Sequence, residues 1–228
     1  MHIDCIIPAR DEAPTVADNV RAARDCVYVR EVIVVDDGST DDTADVAREA
    51  GAKVIVRDAA TGSKAHAMDT GVQASDAEAI LFVDADCTGL TGAHLDEICE
   101  PFVAGDAVMS LGAFDYGRFW NPLVVRWPPT TGERIIPRWV WEAIPPHKLD
   151  GYTIELRINE VVAERRLPTT MRTMRGVYHR TKRDKLGKRE GVRRTVDMYR
   201  ELVGMVWPFG DLRPRAYFYY LRNLTVLG

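Results

Sequence analysis

The feature that most constrains this chain is an alternation. Over residues 1–83 short, almost wholly apolar runs take turns with segments of helical periodicity. Residues 2–8, 31–35 (EVIVV), 53–57 and 79–83 (AILFV) read as strands, and residues 12–25, 41–50 and 64–74 as helices. Strands that are apolar on both faces and separated by helices belong to a parallel sheet covered on both sides. Right-handed crossovers bring the carboxyl ends of such strands to one edge, where open α/β sheets bind ligands. The fold expected is α/β, a mainly parallel sheet flanked by helices, with its site on that edge.

The rest of the chain is less regular. Residues 107–114 read as a strand, and residues 119–146, rich in Trp and Pro, as irregular connections with one short helix. Residues 154–166 read as a helix, 169–179 as a strand, 190–203 as a helix, and 215–227 as a final helix with an aromatic face. One continuous domain with two halves is expected, residues 1–115 and 116–228. No apolar run approaches the roughly 18 residues of a membrane span, and the chain opens on a strand pattern without a signal-like segment. Cys5, Cys26, Cys87 and Cys99 have no CxxC spacing and sit in apolar runs, as buried free thiols of a reducing compartment do. A cytoplasmic setting is the expectation, with peripheral membrane contact as its variant.

The net charge of −4 averages two unlike parts. Residues 1–125 carry 9 basic and 23 acidic side chains, and residues 126–228 carry 21 and 11. That asymmetry excludes a nucleic-acid binder with a basic surface all round and points to an anionic partner for the second half.

The acidic residues that matter cluster at strand ends. Asp36 and Asp37 follow the second strand and lead into Gly38-Ser39-Thr40-Asp41-Asp42-Thr43. A turn and helix cap, with Thr40 or Asp41 as the cap, accounts for Gly38 to Asp42. It leaves the paired carboxylates unexplained, because their repulsion calls for a ligand or a cation. Asp84-Ala85-Asp86 follows the fourth strand, where alternation puts both carboxylates on one side. Two such groups make a hard-oxygen half-site for Mg²⁺ or Mn²⁺ that leaves positions for water and phosphate. Gly62-Ser63-Lys64 opens a helix, and glycine, free helix N–H groups and a lysine charge together suit an anion. Neither a Walker A frame nor GxGxxG after the first strand is present, which argues against a dinucleotide-binding oxidoreductase.

In order, Ile6-Ile7-Pro8-Ala9-Arg10-Asp11-Glu12, Val34-Val35-Asp36-Asp37-Gly38-Ser39-Thr40-Asp41, Gly62-Ser63-Lys64 and Val83-Asp84-Ala85-Asp86 resemble the signature of family 2 glycosyltransferases with the GT-A fold. The resemblance covers roughly residues 3–115. It implies a Rossmann-like nucleotide-binding half and a less regular acceptor-binding half. It further implies that Pro8, Ala9, Arg10 and Glu12 line the nucleotide pocket with Ser39, Gly62 and Ala85. Asp36 or Asp37 would accept a hydrogen bond from the base, and Lys64 would contact the base or diphosphate. Asp86, with Asp84, would hold the Mg²⁺ or Mn²⁺ that bridges the diphosphate and neutralises the leaving group.

In the second half Gly151-Tyr152-Thr153-Ile154-Glu155 is similar to a stretch of glucosyl- and mannosyl-3-phosphoglycerate synthases. That similarity makes Glu155 the candidate general base of an inverting reaction, against a plain helix-dipole role. His179, at the end of an apparent strand, is the candidate third metal ligand. From Arg180 to Arg194 eight of fifteen residues are basic. Arg180, Lys182 and Arg183 are the candidate contacts to a phosphorylated acceptor, with the donor diphosphate or anionic lipid as alternatives. The aromatic tail, residues 217–220, reads as docking on the core, with a homodimer face or membrane contact as the other readings. The activity implied is transfer of a hexose from a nucleoside-diphosphate sugar, UDP-linked, to a small phosphorylated acceptor. A polyprenyl-phosphate or other lipid-linked acceptor is the alternative. A sugar nucleotidyltransferase and a sugar-nucleotide-binding protein without turnover are the readings from other classes.

Overall fold

The computed structural model describes residues 1–58, 63–117, 121, 131–149, 153–179 and 214–227. The first half follows the expected alternation. Strands β1 (Ile3–Ala9), β2 (Val29–Asp36), β3 (Lys53–Val56) and β4 (Ala79–Phe82) are interleaved with helices α1 (Val16–Asp25), α2 (Thr43–Glu49) and α3 (Lys64–Ala74). There follow β5 (Cys87–Thr88), α4 (Gly92–Val103), β6 (Met109–Ala113), β7 (Arg134–Pro137), α5 (Arg138–Glu142) and a 3₁₀ turn at Pro146–Lys148. The remaining elements are α6 (Ile154–Glu164), β8 (Thr169–Thr173), β9 (Tyr178–His179), α7 (Pro214–Arg222) and β10 (Leu224–Leu227).

Among the described residues eight strands form one sheet in the order β10-β8-β6-β7-β4-β1-β2-β3, and β5 and β9 pair as a separate antiparallel ribbon. The sheet is mainly parallel, as the sequence pattern required. Strand β7 is the exception, antiparallel to both β4 and β6. Its beginning therefore lies at the carboxyl edge, beside the end of β4.

Both faces of the sheet are covered, because the strands are apolar on both sides. On one face Ile3, Cys5 and Ile7 of β1 and Val32 and Val34 of β2 pack with Val16 and Val20 of α1 and Leu95 and Ile98 of α4. On the other, Ile6, Ile33, Val35, Ile80 and Phe82 meet Met68 and Val72 of α3, Trp141 of α5 and Ile154 and Ile158 of α6. Helix α3 lies close on β1 at Gly71, where an added Cβ would come within 2.4 Å of Ile6. Burying a branched side chain contributes about 1.5–3 kcal/mol each, so these two layers hold the site's scaffold in place.

Several elements differ from expectation, each for a visible reason. Residues 169–179 break into β8 and β9, with Gly176 at φ 77° in the turn between them. The final helix stops at Arg222, and Leu224–Leu227 pairs in parallel with β8 instead; its Thr and Val suit the open sheet edge better than another helical turn. The Trp- and Pro-rich stretch hides β7, whose Ile135 and Ile136 are fully buried. Helix α4 went unread, although Leu95, Ile98, Cys99 and Phe102 mark an apolar face. Thr91 caps it by accepting from the His94 N–H. The helix expected at 190–203 lies outside the described residues.

Candidate active site

The carboxyl edge is organised by two loops that hold each other. After β1, the Asp11 N–H donates to Ser39 Oγ (2.9 Å), the Glu12 N–H to Thr43 Oγ1 (2.8 Å) and the Ala13 N–H to Asp41 (3.2 Å). In return the Thr40 N–H donates to Asp11 (2.7 Å). Asp11 adopts φ 55° to make this exchange. Pro8, Ala9, Arg10 and Glu12 thus share an edge with Asp36, Asp37 and Ser39, Arg10 being exposed and Glu12 buried.

The paired carboxylates of β2 find their partners within the chain. Asp36 accepts from both the N–H and the hydroxyl of Ser39, at 2.9 and 2.5 Å. Asp37 is ion-paired with Arg57, at 2.5 Å. The cation that the repulsion argument called for is Arg57, a residue the sequence reading passed over. The residue that caps α2 is Asp42, one past the expected Thr40 or Asp41, while the Asp41 carboxylate accepts from the Thr43 N–H at 3.1 Å.

Lys64 sits where α3 begins and reaches across the edge. Its ammonium lies 2.5 Å from Asp84 Oδ1 and 2.7 Å from Glu155 Oε1, and all three side chains are largely buried. Glu155 occupies the first turn of α6. Three residues from distant parts of the chain, singled out separately in the sequence, meet at one point. Burial opposes the ammonium charge, but Asp84 and Glu155 outweigh it and hold the Lys64 pKa above its ordinary value. One lysine thus pairs with two carboxylates.

The loop 84–87 is gripped from two sides by residues that the sequence reading missed. On one side Asn19 of α1 donates to the carbonyls of Ala85 (2.9 Å) and Cys87 (3.1 Å). On the other Glu133, fully buried, accepts from the Asp84 N–H (3.2 Å) and the Cys87 thiol (3.0 Å) through Oε1. Its Oε2 lies 2.6 Å from Thr131 Oγ1. Burial, then the nearby Asp84 carboxylate, push the Glu133 carboxyl up to about 7. Gly132 allows the Asp84 carboxylate to lie against the main chain, since an added Cβ there would be 2.3 Å from Asp84 Oδ1. Arg134, also fully buried, donates to Thr131 O, Glu155 O and Asn159 Oδ1. Residues 131–134 therefore tie the loop after β4 to the start of α6. A partial signal did exist: Glu133 and Arg134 directly precede the apolar pair Ile135-Ile136, and a Glu–Arg pair is rarely buried without a task.

Asp84 and Asp86 are two carboxylate donors on one short loop, in keeping with the oxygen chemistry that Mg²⁺ or Mn²⁺ takes. Among the described residues no group of three or more His, Cys, Asp and Glu side chains could hold a metal alone. Two carboxylates completed by phosphate oxygens and water are what Mg²⁺ accepts, so the donor set fits a cation that arrives with a diphosphate. The β5–β9 register sets the backbone of His179 opposite Cys87, one residue past Asp86. Gly62, Arg180, Lys182 and Arg183 lie outside the described residues. Among the described residues no helix is long and apolar enough to cross a membrane.

Comparisons with known proteins bear on this geometry. A family model described as glycosyl transferase family 2 matches residues 4–154. A 4,4'-diaponeurosporenoate glycosyltransferase of Staphylococcus aureus (strain bovine RF122 / ET3-1) is 44% identical over 89 residues, 37% of this chain and 24% of that protein. A glucosyl-3-phosphoglycerate synthase of Mycolicibacterium paratuberculosis is 32% identical over 120 residues, 49% of this chain and 36% of that protein. The matches thus span about a quarter to a third of these relatives' lengths. The crystal structure of glucosyl-3-phosphoglycerate synthase from Mycobacterium tuberculosis, in complex with Mn²⁺, UDP and phosphoglyceric acid, superposes with a TM-score of 0.73. It is 22% identical, with 89% of this chain and 76% of that one covered, and so attests the fold.

Proposed function

Because the chain belongs to glycosyl transferase family 2, we propose that it is a metal-dependent glycosyltransferase that moves a hexose from a UDP-sugar to a small phosphorylated acceptor. The observation that carries this reading is the meeting of Lys64, Asp84 and Glu155 at the carboxyl edge, beside the loop bearing Asp86. The M. tuberculosis neighbour with UDP, Mn²⁺ and phosphoglyceric acid supports the donor, cation and acceptor classes.

In this reading Pro8, Ala9, Arg10, Glu12, Asp36, Asp37, Ser39, Gly62 and Ala85 line the nucleotide pocket. Asp86 and Asp84, with His179, would be the residues to hold Mg²⁺ or Mn²⁺. When bound, that cation neutralises charge on the departing diphosphate. The chain's own residues do the rest. Lys64, at the start of α3, would add positive charge beside the leaving phosphate. If transfer inverts the anomeric centre, Glu155 is the residue to accept the proton from the acceptor hydroxyl. Arg180, Lys182 and Arg183 supply the charge that a phosphorylated acceptor needs. A second reading, a lipid-linked acceptor, draws on the S. aureus relative, whose name specifies 4,4'-diaponeurosporenoate rather than a phosphoglycerate.

The test is incubation of the purified chain with UDP-glucose and Mn²⁺, with and without 3-phosphoglycerate. Release of UDP that depends on the metal and is lost in Asp86→Ala is the expected result. No Mn²⁺-dependent binding of UDP, or formation of UTP from UDP-glucose and pyrophosphate, would overturn it.

A further inference from the structure

Glu133 has no place in the roles above, yet its position is expensive to maintain. A carboxyl group with no solvent exposure is tolerated only when its oxygens are fully used. Here they are. Oε1 takes the Asp84 N–H and the Cys87 thiol, the first and last residues of the loop that carries Asp84 and Asp86. Oε2 is anchored at 2.6 Å to the Thr131 hydroxyl, which is itself 2.6 Å from the Gly112 carbonyl of β6. The chain of contacts runs from a central strand, through Thr131 and Glu133, to the loop.

We infer that Glu133 is a positioning residue: it fixes the curvature of loop 84–87, and so the mutual orientation of the two carboxylates. The inference rests on the reading of Asp84 and Asp86 as cation ligands, but its mechanical part does not. Bridging a backbone N–H at position 84 and a side chain at position 87 sets the loop's span. Asn19 adds to the grip through the Ala85 and Cys87 carbonyls. The Glu133 side chain aims none of its atoms at a substrate; its effect passes through Asp84.

The hydrogen-bond count also says which replacement should preserve the function. The Thr131 hydroxyl has one proton and two acceptors within 2.6 Å, Gly112 O and Glu133 Oε2. Glutamine at 133 keeps an oxygen for the Asp84 N–H and brings an N–H for Thr131. Alanine removes both.

The experiment has two arms on the whole chain. In the first, hydrogen exchange of the metal-free protein reports on residues 84–87, where Glu133→Ala should lose protection and Glu133→Gln should recover it. In the second, Mn²⁺ binding in the presence of UDP is followed by electron paramagnetic resonance. Glu133→Ala should weaken it roughly 10- to 100-fold, the range found when groups behind metal ligands are removed, and Glu133→Gln should recover most of the loss. Wild-type exchange and wild-type Mn²⁺ affinity in Glu133→Ala would overturn the inference, as would a Glu133→Gln variant no better than alanine. If Glu133→Ala does not fold, Thr131→Val is read in its place: faster loop exchange and weaker Mn²⁺ binding support the inference, and no change overturns it. Absence of Mn²⁺·UDP binding in the wild type, or its survival in Asp86→Ala, would sink the cation-site reading; the exchange arm would still decide whether Glu133 holds the loop.

Discussion

Replacing Gly132 by alanine adds one methyl group and removes no polar contact, which makes it a clean probe of the site. The new Cβ would lie 2.3 Å from Asp84 Oδ1 and 2.4 Å from its Cγ and Oδ2. Ordinary contact begins near 3.4 Å, so the carboxylate must retreat by about 1 Å. The Lys64 ion pair at 2.5 Å lies directly in the consequence. Overpacking of this kind costs about 1–3 kcal/mol of stability, whereas a 1 Å displacement at a reacting centre can cost about 100-fold in rate. Gly92→Ala is the matched control, because its Cβ would meet the backbone of Asp25 at 2.8–2.9 Å, at the start of α4. Both variants should melt lower than wild type. Only Gly132→Ala should lose metal-dependent UDP release, measured well below either midpoint. Turnover within about threefold of wild type would refute the claim that the Asp84 position governs the chemistry.

Other expectations follow from the ion pairs and buried acids. Arg57→Met strips Asp37 of its buried partner and should cost about 3 kcal/mol, read as a lower denaturation midpoint; the double change with Asp37→Asn should recover part of it. Lys64→Met removes the ammonium that both Asp84 and Glu155 contact. Its deficit in melting temperature should shrink as pH falls into the carboxylate range, because protonation neutralises the two carboxylates. In the wild type the Lys64 contribution is fully present around neutral pH, where Asp84 and Glu155 are ionised and its own pKa is raised, and on the alkaline side it fades only in strong alkali. For Glu133 the sign is opposite to that of a paired carboxylate. Its folded pKa of about 7 exceeds the ordinary 4.5, so the native chain holds a proton that the unfolded chain has released. Stability of the metal-free wild type should therefore decline between about pH 4.5 and 7 relative to Glu133→Gln. Parallel melting curves for the two proteins across that window would show the dependence to be wrong.

The first half of the fold was legible because its signal is local. Four apolar runs and three helical periods need no distant partner to be recognised, and β1 to β4 appear within two residues of where the pattern puts them. The elements that escaped depend on tertiary context. Strand β7 is a strand because β4 and β6 leave a gap between them, and β10 because β8 offers an edge. The site shows the same division. Lys64, Asp84 and Glu155 stand out by residue type and by their place at element ends, and the structure brings them together. Glu133, Arg134 and Asn19 act on the backbone of loops far away in sequence, and no spacing encodes that. Arg57 is an intermediate case: the repulsion between Asp36 and Asp37 announced a cation, but not that β3 would deliver it.

The antiparallel strand between β4 and β6 also has a consequence for how the chain comes to its native state. Ala79–Phe82, all buried, is flanked by β1 on one side and by Arg134–Pro137 on the other. Until the chain has been synthesised past that later strand, β4 presents an apolar, unpaired edge. Closing such a distant pairing is entropically slow, and open edges of this kind recruit neighbouring chains. A truncation at the apparent border between the two halves should therefore yield aggregate rather than a nucleotide-binding module. Nascent chains should likewise need shielding until residues 134–137 emerge. Residues that grip the candidate cation loop are encoded beside the strand that fills the gap between β4 and β6, so the pairing that closes this edge also sets the site.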